Sequence, residues 1–301
     1  MSLHYETVSP LLKEILHTIE NNNIFKDFTL IGGTCLSLQI GHRRSIDIDL
    51  FTDIDYDTMN TKEIQDFFSK TFPYTENIQS LDKSALGYTL YAGNTPEDKV
   101  KIDLFYTEKF IFPIQEIDNI KIADIREIAA MKLAAICGEE PRQKDFWDIH
   151  ELSDMFSFKD MVDWAIKRNE WTVTEQDIFN GFQKIDSVKE SPEGIDCFRG
   201  KYWSLVKDDL KEIVNQYQLE KKLICAAIEN NFIKILSLKD EGFIPSPEAI
   251  KSLKDSVPAQ TMIAVQKIFN LPLEPSGLEH LKLAQSSKTG IKKDKSNDLN
   301  I

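Results

Sequence analysis

The chain has 301 residues, 42% hydrophobic and 28% charged, which is the composition of a soluble globular protein with room for one large domain or two smaller ones. No apolar run approaches the length of a membrane span, and the opening M-S-L-H-Y-E-T-V-S-P has neither the basic nor the apolar region of a secretory signal; a cytoplasmic protein without membrane contact is expected. Cys35, Cys137, Cys197 and Cys225 lie far apart with no C-x-x-C, which argues against zinc and redox motifs, and a net charge of −13 opposes nonspecific attraction to nucleic acid.

Ser9-Pro10 opens a helix to about residue 22, since serine caps well and proline suits the first turn. Residues 28–31 read as a strand, 34–40 as a short helix, 46–51 as a strand and 58–70 as a helix. Three more strand-like runs follow at 75–79, 85–91 and 99–105, with turn chemistry at Gly93-Asn94-Thr95-Pro96. From Asp124 onward helical periodicity takes over, at 124–138, 143–156, 159–168, 174–184, 204–216 and 218–240. Residues 223–242 read as an α-hairpin. The expected fold is α+β: a mixed-sheet domain over residues 1–122, a helical domain over 123–284 and a polar, disordered tail over 285–301.

The chemistry concentrates in residues 31–52, I-G-G-T-C-L-S-L-Q-I-G-H-R-R-S-I-D-I-D-L-F-T. Side chains alternate along a strand, so Asp47 and Asp49 project together while Ile46, Ile48 and Leu50 point into a core. Two like charges this close repel, and a divalent cation with oxygen ligands, Mg2+ or Mn2+ in its place, is the usual way to hold them together. An isolated D-x-D is more often the wet face of an edge strand. Here Gly32 and Gly33 precede a helix expected to start at Thr34, which puts backbone N–H groups where a phosphate could sit and shifts the balance toward a site.

Three further features bear on the same chemistry. In V-K-I-D-L-F, Asp103 shares a face with Lys101 opposite Val100, Ile102 and Leu104, so a third carboxylate can join the pair. Arg43 and Ser45 alternate with Asp47 and can face a phosphate cleft, while Arg44 points elsewhere, toward a surface salt bridge. Lys132 is the single charge in I-A-A-M-K-L-A-A-I-C, on the stripe that faces the core, and must snorkel, pair with an acid or meet an anionic ligand. Asp145 and Asp148, three apart, are neighbours on one helical turn. His42 and His150 show no metal-ligand spacing.

The strings G-G-T-x-L-x-L-Q-x-G-H-R-x-S-x-D-x-D-x-F, V-K-I-D-L-F, D-I-R-E-I-A-A-M-K-L-A-A-I and R-Q-K-D-F-W-D-I resemble the AbiEii/AbiGii-type nucleotidyltransferases. That family is a branch of the DNA polymerase β-like superfamily, with members that act as toxins of toxin–antitoxin and phage-defence systems. The resemblance covers roughly residues 25–155, so residues 123–155 are expected to complete the active site. It implies transfer of NMP from an NTP to a hydroxyl acceptor, with Asp47, Asp49 and Asp103 catalytic and metal-binding and the third acid orienting or activating the hydroxyl. Nucleotide binding is implied for Gly32, Gly33, Thr34, Arg43, Ser45, Lys132, Asp145 and Asp148. An RNA or tRNA 3′ end is the implied acceptor and an antitoxin the implied partner. Given the acidic chain, such an acceptor would need a local basic rim from some of Lys99, Lys101, Arg126, Arg142 and Lys144. Two rival readings are transfer to a small molecule or protein, and an idle NTP-binding regulator.

Overall fold

In the computed structural model, which describes residues 2–77, 86–191 and 194–272, the chain begins with α1 (Pro10–Glu20), β1 (Thr29–Ile31), α2 (Gly32–Ile40), β2 (Asp47–Thr52) and α3 (Thr61–Thr71). Strands β3 (Tyr74–Asn77), β4 (Gly87–Gly93), β5 (Lys99–Tyr106), β6 (Gln115–Ile117) and β7 (Ile120–Ile122) follow. Helices α4 (Ile125–Ile136), α5 (Gln143–Ser153), α6 (Phe158–Arg168) and α7 (Glu175–Gln183) come next, then α8 (Trp203–Ile228), α9 (Phe232–Asp240), α10 (Pro247–Ser256) and α11 (Ala259–Ile268). The fold is α+β.

The strands form one mixed sheet in the order β3-β4-β5-β2-β1-β7-β6. Its centre is the parallel pair β2 and β5, with Asp47 opposite Lys101 and Asp49 opposite Asp103, and β1 runs antiparallel to β2 with Ile31 opposite Asp49. Alternation therefore gathers the acids on one face and sends Ile48, Leu50, Ile102 and Leu104 into the core, each fully buried. Ile46 departs from the expected alternation. It precedes the first ladder residue of β2 and is 60% exposed.

Local chemistry sets the element ends. Ser9 caps α1, accepting from the Leu12 N–H, with Pro10 in its first turn, and α1 packs against β2, β5 and β7 through its buried Leu12, Ile15, Leu16 and Ile19. The β6–β7 hairpin, absent from the expected elements, turns through Asp118 and Asn119, both at positive φ, which Asp and Asn tolerate better than most residues. The expected strands at 75–79 and 85–91 correspond to β3 and β4, although residues 78–85 lie outside the described residues. So does the expected disordered tail at 285–301.

The chain divides into two compact units between Val214 and Asn215, within α8. The passage from strands to helices near residue 122 is thus a change of element inside the first unit, because α4 and α5 pack against α2. The expected break between 216 and 218 does not occur; α8 continues to Ile228, and the chain turns at Asn230, φ +53°, before α9. In the second unit α9, α10, α11 and the end of α8 share a core that includes Leu223, Ile235, Leu253 and Val265. No helix among the described residues is long and apolar enough to cross a membrane.

The phase of β2 is directly testable. Ile48→Ala should cost about 2–5 kcal/mol in urea unfolding, whereas Ile46→Ala, at an exposed position, should stay within about 0.5 kcal/mol of the parent.

Candidate active site

Gly32, in the left-handed region at φ +71°, ends β1 and begins α2. That start is two residues ahead of the expected Thr34. A Cβ on Gly32 would lie 2.2 Å from Asp49 Oδ2, and one on Gly33 would lie 2.5 Å from Arg43 Nη2. Glycine is thus required here for close approach, bringing the N-terminus of α2 against the central carboxylate. Thr34 donates its hydroxyl to the carbonyl oxygen of Asp47, and Ser45 Oγ lies 2.8 Å from the same hydroxyl. These contacts fix the start of β2 to the first turn of α2.

The three acids have different surroundings. Asp103 accepts from Lys101 Nζ at 2.6 Å and from Thr89 Oγ1 at 2.7 Å. Asp47 Oδ2 lies 3.4 Å from Lys144 Nζ. Asp49, between them, has no hydrogen bond or ion pair among the described residues. Burial raises its carboxyl above the ordinary value; Asp103 and Asp47 push the same way, and Lys132 and Lys144 pull against them. Among the described residues no three His, Cys, Asp or Glu side chains are already disposed around a common ion position. The donor set nevertheless suits a hard divalent cation: three carboxylates on adjacent strands, the central one lacking a counter-charge.

Behind this edge lies a buried ionic cluster. Lys132 Nζ is 2.8 Å from Asp145 Oδ1 and 2.6 Å from Asp148 Oδ2, with all three side chains at most 6% exposed. Of the three fates open to this lysine, pairing with acids is the one observed. Asp148 also takes a two-pronged grip from Arg43, Nε to Oδ1 at 2.7 Å and Nη2 to Oδ2 at 2.8 Å, and accepts from His42 Nε2 at 2.9 Å. Arg142 donates from Nε to Asp145 Oδ2 at 2.8 Å. Burial alone would raise Asp148, but Arg43, Lys132 and His42 overcome it and hold the carboxyl well below the ordinary range. Burial also pushes His42 below the ordinary imidazole value, against the opposing pull of Asp148.

The predicted site residues therefore fall into two groups. Gly32, Asp47, Asp49 and Asp103 form the carboxylate edge with Thr34 and Ser45 behind it, while Arg43, Lys132, Asp145 and Asp148 are bonded to one another. Arg43 and Ser45 also line a cavity of about 750 Å³ that reaches Asp47, Arg142, Gln143 and Lys144. Arg44 forms the exposed salt bridge expected of it, with Asp196, and His150 is a buried helix residue paired with Asp209. Three participants escaped the sequence reading. Thr89 carried no signal beyond its place on a strand. His42 adjoins Arg43 and could have been paired with an acid from the helical region, and Gln143 sits two residues before Asp145.

Residues 14–187 match the family described as nucleotidyl transferase AbiEii toxin, Type IV TA system. The chain belongs to this nucleotidyltransferase toxin family. An uncharacterized protein of Aquifex aeolicus is 26% identical over 217 residues, covering 68% of this chain and 95% of its own length. Among solved structures, JHP933 from Helicobacter pylori is similar at TM-score 0.38 and 14% identity, covering 68% of this chain and 94% of that one. The Megavirus polyadenylate synthase matches at TM-score 0.33 and 16% identity, over 58% of this chain and 36% of that one.

The pairing of Lys132 has a consequence for stability. A lone ammonium on an apolar helix could be removed at no cost, but removing this one uncovers two buried acids. Lys132→Met should destabilise the protein by about 3–5 kcal/mol in chemical unfolding. Asp148 adds a pH dependence. Its folded carboxyl titrates below the unfolded value of 3.8, so its contribution is present above that value and is lost as pH falls below it through the lowered folded pKa. In Asp148→Asn, acid titration of stability should lack that segment of the curve.

Proposed function

We propose that this protein is a metal-dependent enzyme that transfers NMP from an NTP to a hydroxyl of RNA, such as a tRNA 3′ end, in the cytoplasm, as the toxin of a toxin–antitoxin or phage-defence pair. The observation that carries the reading is the register of β2 on β5, which sets Asp49 beside Asp103 and two residues from Asp47, with Gly32 cleared for close approach. Asp47, Asp49 and Asp103 would hold Mg2+. Cations held there would supply charge neutralisation to phosphoryl transfer.

The chain's own groups do the rest. Asp103, steadied by Thr89 and Lys101, orients the acceptor hydroxyl and takes its proton. The acceptor oxygen bonds to the α-phosphorus as the α–β phosphoanhydride bond breaks, and pyrophosphate leaves. Lys101 and Lys144, each already on a carboxylate and partly exposed, are placed to donate to phosphate oxygens. Lys132 and Arg43, both spent on buried acids, act by holding Asp148 and the start of β2 rather than by gripping the triphosphate.

Protein, Mg2+ and each α-labelled NTP should yield labelled RNA ends when incubated with total RNA. Label on a small molecule or on protein would replace the acceptor, and no transfer to any acceptor would favour a regulator that only binds NTP. Asp49→Asn should lower transfer by roughly a hundredfold or more while melting at or above the parent temperature, because it removes a buried charge without a partner. The RNA acceptor should show a shallow salt dependence, with each phosphate contact contributing about 0.7 to the log–log slope.

A further inference from the structure

The cavity next to Asp47 has a volume of about 750 Å³, within the range that encloses a small-molecule ligand. Beside polar groups it exposes apolar surface from Ile46, Pro141, Val188 and Ile195. Ile46 is 60% exposed immediately before the first catalytic strand residue. It precedes the ladder of β2, so no neighbouring strand holds it to the core face, and its exposed aliphatic side chain offers this cavity an apolar surface suited to the flat face of a base.

Gln143 supplies the second observation. Its residue is 6% exposed and lines the same cavity. The Ser191 backbone N–H donates to Gln143 Oε1 at 2.8 Å. A backbone N–H can bond only to an acceptor, so this contact fixes which end of the amide is oxygen. The NH2 end has no partner among the described residues and is not sealed from solvent; on a residue that lines the cavity it stays open to a ligand. It is a donor held in one orientation at the wall of a ligand-sized cavity, without an acceptor among the described residues.

We propose that Gln143 is the base-reading residue of this enzyme. Its amide N–H donates to a ring nitrogen or carbonyl oxygen on the base of the nucleoside triphosphate, which lies in the cavity against Ile46 with its phosphates toward Asp47 and Lys144. The inference rests on the nucleotidyltransferase reading of the site. A base presenting an acceptor at that position is bound; one presenting an amino group there meets donor against donor and is rejected.

The test is calorimetric titration of the full chain with each of the four NTPs and with inorganic tripolyphosphate, all with Mg2+. The parent should prefer one or two bases by about tenfold, the worth of one well-placed hydrogen bond. Gln143→Glu keeps an oxygen for the Ser191 N–H but turns the free donor into an acceptor. It should collapse or invert the ratio among the four NTPs, a readout unaffected by a uniform repulsion of phosphate. Gln143→Leu, shown by its melting curve to be folded, should flatten the ratio and leave tripolyphosphate affinity within about twofold. Equal binding of all four NTPs by the parent, or an unchanged ratio in both variants, would overturn the role of Gln143 while leaving the enzyme reading intact. Failure of the parent to bind any NTP or tripolyphosphate would overturn both.

Discussion

Asp148 is the residue on which the site depends. Its two oxygens collect Arg43, His42 and Lys132, which belong to the loop before β2 and to α4, while Asp148 itself belongs to α5. Burying such a group is expensive, and ion pairs in low dielectric often do little better than break even against apolar packing. What they provide is geometry. The two-pronged guanidinium contact tolerates little rotation, and only three residues separate Arg43 from Asp47, so fixing one end positions the other. Helices α4 and α5 therefore help to position the carboxylate edge even though their acids stand behind it.

The contrast with Asp49 explains how stability and function divide the work. Every carboxylate of the rear cluster is satisfied from several sides. Asp49 is not; burial and two neighbouring acids all disfavour its charge, and the lysines that oppose them are bonded elsewhere. An element chosen for stability alone would carry a neutral residue at this position. Local destabilisation beside a rigid support is the pattern expected where a site must draw a cation and substrate into place.

Much of this was legible in the sequence because alternation and helical periodicity report faces. The period of two separated Asp47 and Asp49 from Ile48 and Leu50, and Asp103 from Ile102 and Leu104, and the helical stripe marked Lys132 as a core-facing charge. Partners are another matter. Nothing in a period specifies that Asp148 meets Arg43 across 105 residues or that Thr89 reaches Asp103, since those contacts arise from strand order and helix packing. The failures have local causes too. Ile46 continues the alternation in sequence but precedes the ladder, so no neighbouring strand holds it to the core face. The three-residue strands β6 and β7 are too short for a period to emerge. A change in pattern near residue 217 mimics a helix end, whereas the turn falls at Asn230, a residue type that accepts left-handed backbone.

The acidity of the chain and the proposed nucleic-acid acceptor are compatible once distance is considered. At physiological ionic strength charges are screened over about 8 Å, so a phosphate at the cavity responds to its immediate lining rather than to the total of −13. That lining carries six Lys and Arg against five Asp and Glu, which makes it far less acidic than the chain at large. Of the expected basic rim, Arg142 and Lys144 line this cavity, whereas Lys99 is bonded to Glu76 and Arg126 to Asp124. On the proposed reading, the cationic contact at this cavity is a local one made by Arg142 and Lys144.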